Sequence, residues 1–337
     1  MTTNLNIGAL APALTAGGRL RLPVVAAPMF LISGPDLVIA ACRSGIIGAF
    51  PTTNARTTQE LDAWMSRIAT SLGDSAPSPT GKPVAPWATN VITHSTNQRL
   101  PQDLELVARY RPPIVITALG SPKPAIELVH SYGGIVIADV VTLTLAKKAI
   151  DAGADGLACV SAGAGGHTGF ISPFAFISAA RELTNGLVIV GGGIADGYGV
   201  AGAIAAGADL VYMGTRFIAT RESRAVDEYK QMVVDSTLDD LLVSASITGT
   251  PATWLKPSLR LCGYDPEQMP EKPQRNYDSS QQQQVAKRWK DLWSAGQGIG
   301  AVRAIEPMSA VVDSLAREYD AAVARMAALT PSAGCSR

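Results

Sequence analysis

Short apolar runs rich in valine and isoleucine recur through the first two thirds of the chain, separated by longer stretches whose apolar positions return at helical spacing. The runs occupy residues 24–29, 46–50, 87–92, 114–119, 135–141, 156–160, 187–190 and 210–213. They are continuous rather than alternating, which is how a strand covered on both faces reads. The segments between them carry helix punctuation. Gly34-Pro35-Asp36 opens one helix that ends near Gly45, and Thr57 followed by Glu60 sets up a capping box at another. Residues 142–152 and 198–206 each run into a Gly-Ala-Asp, where Gly153 or Gly207 supplies a left-handed helix end before the next strand.

Eight strand–helix alternations within about 200 residues predict an α/β fold, a (β/α)8 TIM barrel. A doubly wound open sheet uses the same alternation but often has about six strands, so the count favours the barrel. Residues 1–221 are expected to form it. Residues 222–337 are expected to add a mostly helical extension, with helices at 223–234, 238–245, 284–295 and 307–329, packed on the barrel to complete one enzyme unit. Between those helices, residues 266–284 are polar, with three prolines and a glutamine run, and read as a surface excursion. Residues 73–86 form a second loop of this kind.

Composition narrows the function classes. The chain has 337 residues, with 28 Lys plus Arg against 28 Asp plus Glu, so no basic field is available to hold a nucleic acid backbone. Hydrophobic residues make up 47%, which excludes disorder for most of the chain. Cys42, Cys159, Cys262 and Cys335 form no C-x-x-C pair, so neither a zinc knuckle nor a dithiol redox motif is present, and they read as small buried residues of a reducing compartment. The first residues lack a signal-peptide pattern, and no apolar run reaches the roughly 18 residues needed to cross a bilayer. These readings point to a cytoplasmic protein with no membrane partner, and a homodimer is the assembly expected of it.

Barrel enzymes place their chemistry at the C-terminal ends of the strands. Those ends carry Pro28-Met29, Asn90, Asp139, residues 161–169, Gly191-Gly192-Gly193 and Gly214-Thr215-Arg216. The last two sets follow strands seven and eight, where such barrels bind phosphate on backbone N–H groups, and glycine keeps side chains off that backbone. Tight packing alone is the competing account of a glycine triplet. A dinucleotide fingerprint fails on spacing, because the third glycine would fall at Asp196. The most unusual stretch is SAGAGGHTG, residues 161–169, which holds His167 in a glycine-rich loop. A histidine there suits proton abstraction or hydrogen bonding to an anion, against the plainer role of satisfying loop carbonyls. His130 reads as structural at a helix end, and His94 as a weaker ligand candidate. Asp139 stands without a second acid nearby, so a metal site and glycosidase chemistry are not expected. Phe30, Ile171, Phe174 and Phe176 flank the presumed strand ends and predict an apolar pocket for a small organic substrate.

Taken in order, AAPM at 26–29, Thr89-Asn90, AGGHTG at 164–169, VGGGIADG at 190–197, MGTRF at 213–217 and WSAGQGIGAV at 293–302 resemble the nitronate monooxygenase family, formerly called 2-nitropropane dioxygenases. The resemblance implies an FMN enzyme on a TIM barrel, oxidising alkyl nitronates with O2 to carbonyl compounds and nitrite. It implies that Ala27, Pro28 and Met29 lie against the flavin ring and that Asn90 hydrogen-bonds it. It also implies that Gly192, Gly193, Gly214 and Thr215 cradle the phosphate; Ala164 and Gly165 are expected to add cofactor contacts, and Asp139, read as a hydrogen-bonding or structural group more than a catalytic one, is placed with them. His167 matches the family's active-site histidine, as base toward a neutral nitroalkane or as partner of an anion. Two positions depart from the pattern: Gly163 stands where many relatives carry Glu, and Asp139 where reductases of the superfamily often carry Lys. The missing positive charge favours the oxygenase over the alternative, an NAD(P)H-dependent flavin reductase of enoyl thioesters or quinones.

Overall fold

The computed structural model describes residues 20–73, 84–270 and 289–329. Eight parallel strands close into a barrel: β1 Val24–Ala26, β2 Ile47–Pro51, β3 Trp87–Ile92, β4 Ile114–Ala118, β5 Ile135–Val140, β6 Gly156–Val160, β8 Leu187–Gly191 and β9 Leu210–Met213, with β9 pairing back onto β1. The expected strands are all present, with ends shifted by a few residues; β1 stops at Ala26, so Pro28 and Met29 belong to the turn that follows. Helices α1 Pro35–Arg43, α2 Thr58–Leu72, α3 Leu100–Tyr110, α4 Lys123–Ser131, α5 Leu143–Asp151, α6 Pro173–Leu183 and α7 Gly197–Ala205 alternate with the strands.

Successive strand residues face opposite sides. Val25, Ile47, Ile116, Ile137 and Ile189 fill the barrel interior and leave a void of only about 10 Å³, so the interior is a packed core and not a pore. The outward residues meet the helices in separate layers, one of them built from Phe50, Leu61, Met65 and Ile68. The local signals act much as the sequence suggests. Thr57 accepts a hydrogen bond from the Glu60 N–H at 3.0 Å, but the Glu60 carboxylate turns to the Arg56 N–H, so the box is only half formed. Asp196, which breaks the dinucleotide spacing, caps α7 by accepting from the Gly199 N–H at 2.6 Å.

The C-terminal third departs from its expected helices. After α8 Thr215–Ile218, the helix expected from residue 223 begins only at α9, Asp227–Asp235. Residues 238–245 are not a helix: a single turn, Leu238–Asp240, leads into strand β10, Leu241–Ser244. β10 pairs antiparallel with β11, Ala252–Leu255, and β11 pairs with β7, Gly166–His167, making a small sheet over the mouth of the barrel. The run LLV at 241–243 is too short an apolar sequence for periodicity to divide between helix and strand. Helix α10, Lys256–Leu261, follows. The helix expected at 284–295 fails where it is described, since residues 289–295 are irregular, and residues 284–288 lie outside the described set. Most of the polar excursion and of the 73–86 loop also lie outside it. The last helix, α11 Met308–Leu329, agrees with the expectation and packs on α7 and α1.

The α7–α11 contact is made at Gly197, where an added Cβ would fall 2.2 Å from the Leu315 carbonyl and 2.3 Å from the Tyr319 amide nitrogen. Both are backbone atoms and neither can rotate away. Gly197→Ala is expected to cost ~3 kcal/mol of stability by overpacking, read as a lowered urea midpoint. A loss under ~1 kcal/mol would mean that α11 separates from α7 cheaply.

Candidate active site

The C-terminal mouth of the barrel opens into a cavity of about 1210 Å³, larger than the roughly 300–1,000 Å³ of ordinary ligand pockets. Ala27, Pro28 and Met29 after β1, Asn90 on β3, Asp139 on β5, and Ala164, Gly165 and His167 beyond β6 line it. Gly192 and Gly193 after β8 and Gly214 and Thr215 after β9 complete the wall. Residues from six strand ends, chosen from sequence, therefore border one space.

Each segment is held by identifiable contacts. The turn after β1 is fixed by Asn54, a buried residue with no motif to mark it in the sequence. Its Nδ2 donates to the Met29 and Ser33 carbonyls at 2.9 and 2.8 Å, and its Oδ1 accepts from the Leu31 N–H at 2.8 Å. The polypeptide at Pro28 and Met29 is thereby held rigid against the cavity.

The glycine-rich loop after β6 is tied to both the barrel and the C-terminal segment. The Gly163 carbonyl accepts from the Gly193 N–H at 3.2 Å and from the Gln297 N–H at 2.8 Å, while Thr253 Oγ1 donates to the Ala164 carbonyl at 2.7 Å. Gly163 has φ +87, and a Cβ there would fall 2.7 Å from Gln297 Oε1. A side chain at this position would require a strained backbone and displacement of Gln297, which fills the space. Thr215 Oγ1 accepts from the Gly296 N–H at 2.8 Å, which joins the residue-293 segment to the strand-nine edge.

His167 ends on β7, where pairing with Ala252 of β11 sets its backbone. Its ring is open to the cavity on one side and meets the edge of Trp289 at 5.2 Å between centroids; Trp289 in turn stacks on the fully buried Trp254 at 4.7 Å. Partial burial of the ring lowers the imidazole below its ordinary range and favours its neutral form.

The floor of the cavity is polar at three points. Asn90 Nδ2 donates to Asp139 Oδ2 at 3.3 Å, and the Tyr212 hydroxyl lies beside the same carboxyl. Burial pushes Asp139 up to about 7, with Tyr212 and Asn90 pulling the other way. Tyr212 could have been found from sequence by parity, since it lies two residues after the inward Leu210. Trp289 has no such signal, because it follows a polar, low-complexity stretch.

Other expectations fall away from the site. His94 is exposed, bonds to Thr96 and does not line the cavity. His130 is bonded to Asp155 at 2.8 Å in addition to lying in the last turn of α4. Of the four expected apolar wall residues, only Phe30 lines the cavity; Phe176 is buried in the core, Ile171 packs against that core, and Phe174 faces outward. Phe174 and Phe176 lie on α6 and not at a strand end. Cys42 and Cys159 are buried, Cys262 is partly so, and Cys335 lies outside the described residues. Among the described residues, no cluster of His, Cys, Asp or Glu could hold a metal, and no helix is long and apolar enough to cross a membrane.

A closed (β/α)8 barrel with this mouth places the chain among the barrel enzymes, and its relatives are oxidoreductases. The sequence profile described as nitronate monooxygenase matches residues 12–318, and the chain belongs to that family. A Rhodococcus jostii protein named (3aS,4S,5R,7aS)-5-hydroxy-7a-methyl-1-oxo-octahydro-1H-indene-4-carboxyl-CoA dehydrogenase is 29% identical over 72% of this chain, a match that spans 65% of that relative, less than two thirds of its length. The nitronate monooxygenase of Paraburkholderia phytofirmans is 25% identical over 90% of this chain and 94% of its own. Among solved structures, FabK from Thermotoga maritima shares the fold, with a TM-score of 0.75 at 24% identity over 92% of this chain and 96% of that one.

Proposed function

We propose that the protein is an FMN-dependent nitronate monooxygenase, taking alkyl nitronates or nitroalkanes and O2 to carbonyl compounds and nitrite. The observation that carries this reading is the convergence of His167, the rigid Pro28-Met29 turn and the Gly192-Gly193 and Gly214-Thr215 edges on one cavity. The residues fit FMN on physical grounds. Gly192 and Gly193 hold positive φ and leave a side-chain-free edge at the end of β8, and Gly214 adjoins Met29 at the end of β9. The Gly193 N–H is already given to Gly163, so its part would be the open space above its Cα; the Thr215 hydroxyl still has its proton to donate. FMN, when bound, supplies the electron acceptor for the organic substrate and the site at which O2 is reduced. His167 would take the α-proton of a neutral nitroalkane or hold the anionic nitronate, and Asn54 would keep the ring-facing turn fixed.

A second reading, an NAD(P)H-dependent flavin reductase or acyl-thioester dehydrogenase, has one supporting observation. The cavity lining also includes Leu119 and Leu145 with Lys123 and Lys148 beside Asp151, apolar and basic groups that suit an anionic thioester. Anaerobic mixing of the FMN-loaded protein with NADH and then with ethyl nitronate separates the two. Loss of the flavin absorbance with nitronate, and none with NADH, is the expected result. Bleaching by NADH with nitronate inert would replace the first reading by the second, and no FMN binding at all would undo both.

A further inference from the structure

Just below the mouth, three strands each turn a polar side chain into the barrel at one level. Asn90, Asp139 and Tyr212 lie two positions beyond the inward apolar residues Ala88, Ile137 and Leu210. Asn90 Nδ2 bridges the Ile116 carbonyl and Asp139 Oδ2, at 3.4 and 3.3 Å. Asp139 Oδ1 and the Tyr212 hydroxyl are both buried and lie beside one another without a well-formed hydrogen bond, and Tyr212 is only 8% exposed. This weakly paired carboxyl lines the floor of the cavity, where a bound group can complete its hydrogen bonding.

No cation answers the carboxyl. Asp139 forms no ion pair among the described residues. Of the flanking strands, β4 offers no titratable group and β6 only Cys159, and from α5 the nearest charges are Lys147, Lys148 and Asp151. Arg56, Lys123, Lys148, Asp151 and His167 share the cavity with it, yet the groups that act on the carboxyl are Tyr212 and Asn90. An unpaired carboxylate in such a place is costly, and the neutral acid is the cheaper form.

We propose that Asp139 meets the bound flavin as a neutral carboxylic acid and donates it a hydrogen bond, with Asn90 and Tyr212 as positioning residues that fix the carboxyl; this rests on the flavin reading above. A ring laid over the carboxyl removes further water and strengthens the preference for the neutral form. As pH rises and the proton leaves, the donor becomes a carboxylate facing the ring, and flavin affinity falls.

The test is the FMN dissociation constant of the wild-type protein and of Asp139→Asn from pH 5 to 9. Asn keeps a donor and cannot titrate, and the ratio of the two constants cancels FMN's own phosphate ionisation near ~6. The expected ratio is flat at low pH and rises by about tenfold for each unit above its midpoint. Tyr212→Phe, tested independently, removes a group that favours the ionised carboxyl, so the midpoint should move to higher pH. A ratio constant across the range, or a Tyr212→Phe midpoint unmoved or shifted down, overturns the proposal while FMN binding itself upholds the flavin reading. Failure of wild-type protein to bind FMN at any pH overturns both.

Discussion

His167→Asn is expected to lower kcat/KM for a neutral nitroalkane by ~10²–10⁴-fold, the range for removing a positioned general base. With the same compound supplied as preformed nitronate, the loss should stay within about tenfold, because the proton has already left and only a hydrogen bond to the anion changes. The substitution is isosteric enough to leave the loop intact: the backbone of residue 167 is set by pairing with Ala252, and the Trp289–Trp254 stack does not depend on the imidazole. Steady-state rates on both substrate forms check it. Equal losses on the two would assign His167 to anion binding and remove the base from the scheme.

The pH dependence follows from the same wall. Desolvation lowers the imidazole from its ordinary range, and the Trp289 ring is packed against it. The neutral, base-competent form therefore persists to lower pH than for a free histidine. The kcat/KM for neutral nitroalkane should be level through neutral pH and fall only as pH drops through that lowered value. Opening the wall with Trp289→Ala should return water to the ring and move the acid limb upward, toward the ordinary histidine range of about 6.5.

Which parts of this site could be read from the sequence has a physical explanation. Strands buried on both faces show as continuous apolar runs, and barrel geometry then places every strand end at one mouth, so Asn90, Asp139, Gly192 and Gly214 came together from order alone. Long-range pairing has no such local mark. The β7–β11 ladder joins residues 166–167 to 252–253, and nothing in LLVS or ATWL announces a strand and not a helix. The partners of Gly163, namely Gly193 and Gln297, are likewise 30 and 134 positions away in sequence. Asn54 carries no sequence mark of its role, because a lone Asn after a strand also suits a turn. Tyr212 was legible by parity once the strand's inward face was assigned.

Gly193 supplies the second large effect, since it lies where a phosphate and a side chain would compete for the same space. Its φ of +70 is strained for any β-branched residue, yet a Cβ would meet nothing nearer than Gln297 at 3.7 Å. Gly193→Val should therefore leave a folded protein, weakened by ~1–2 kcal/mol of backbone strain, because the side chain projects into the cavity without a close contact. That space is what FMN would need. Flavin affinity should fall by more than ~100-fold, equivalent to about 3 kcal/mol, with Gly193→Ala intermediate. Gly192→Val makes a contrasting case, because its Cβ would fall 2.5 Å from the Ala162 carbonyl and cost folding first. Fluorescence titration of FMN against each variant, alongside urea unfolding, separates the two kinds of loss. Full flavin affinity in Gly193→Val would move the phosphate away from the β8 edge and leave the β9 edge, Gly214-Thr215, to hold it alone.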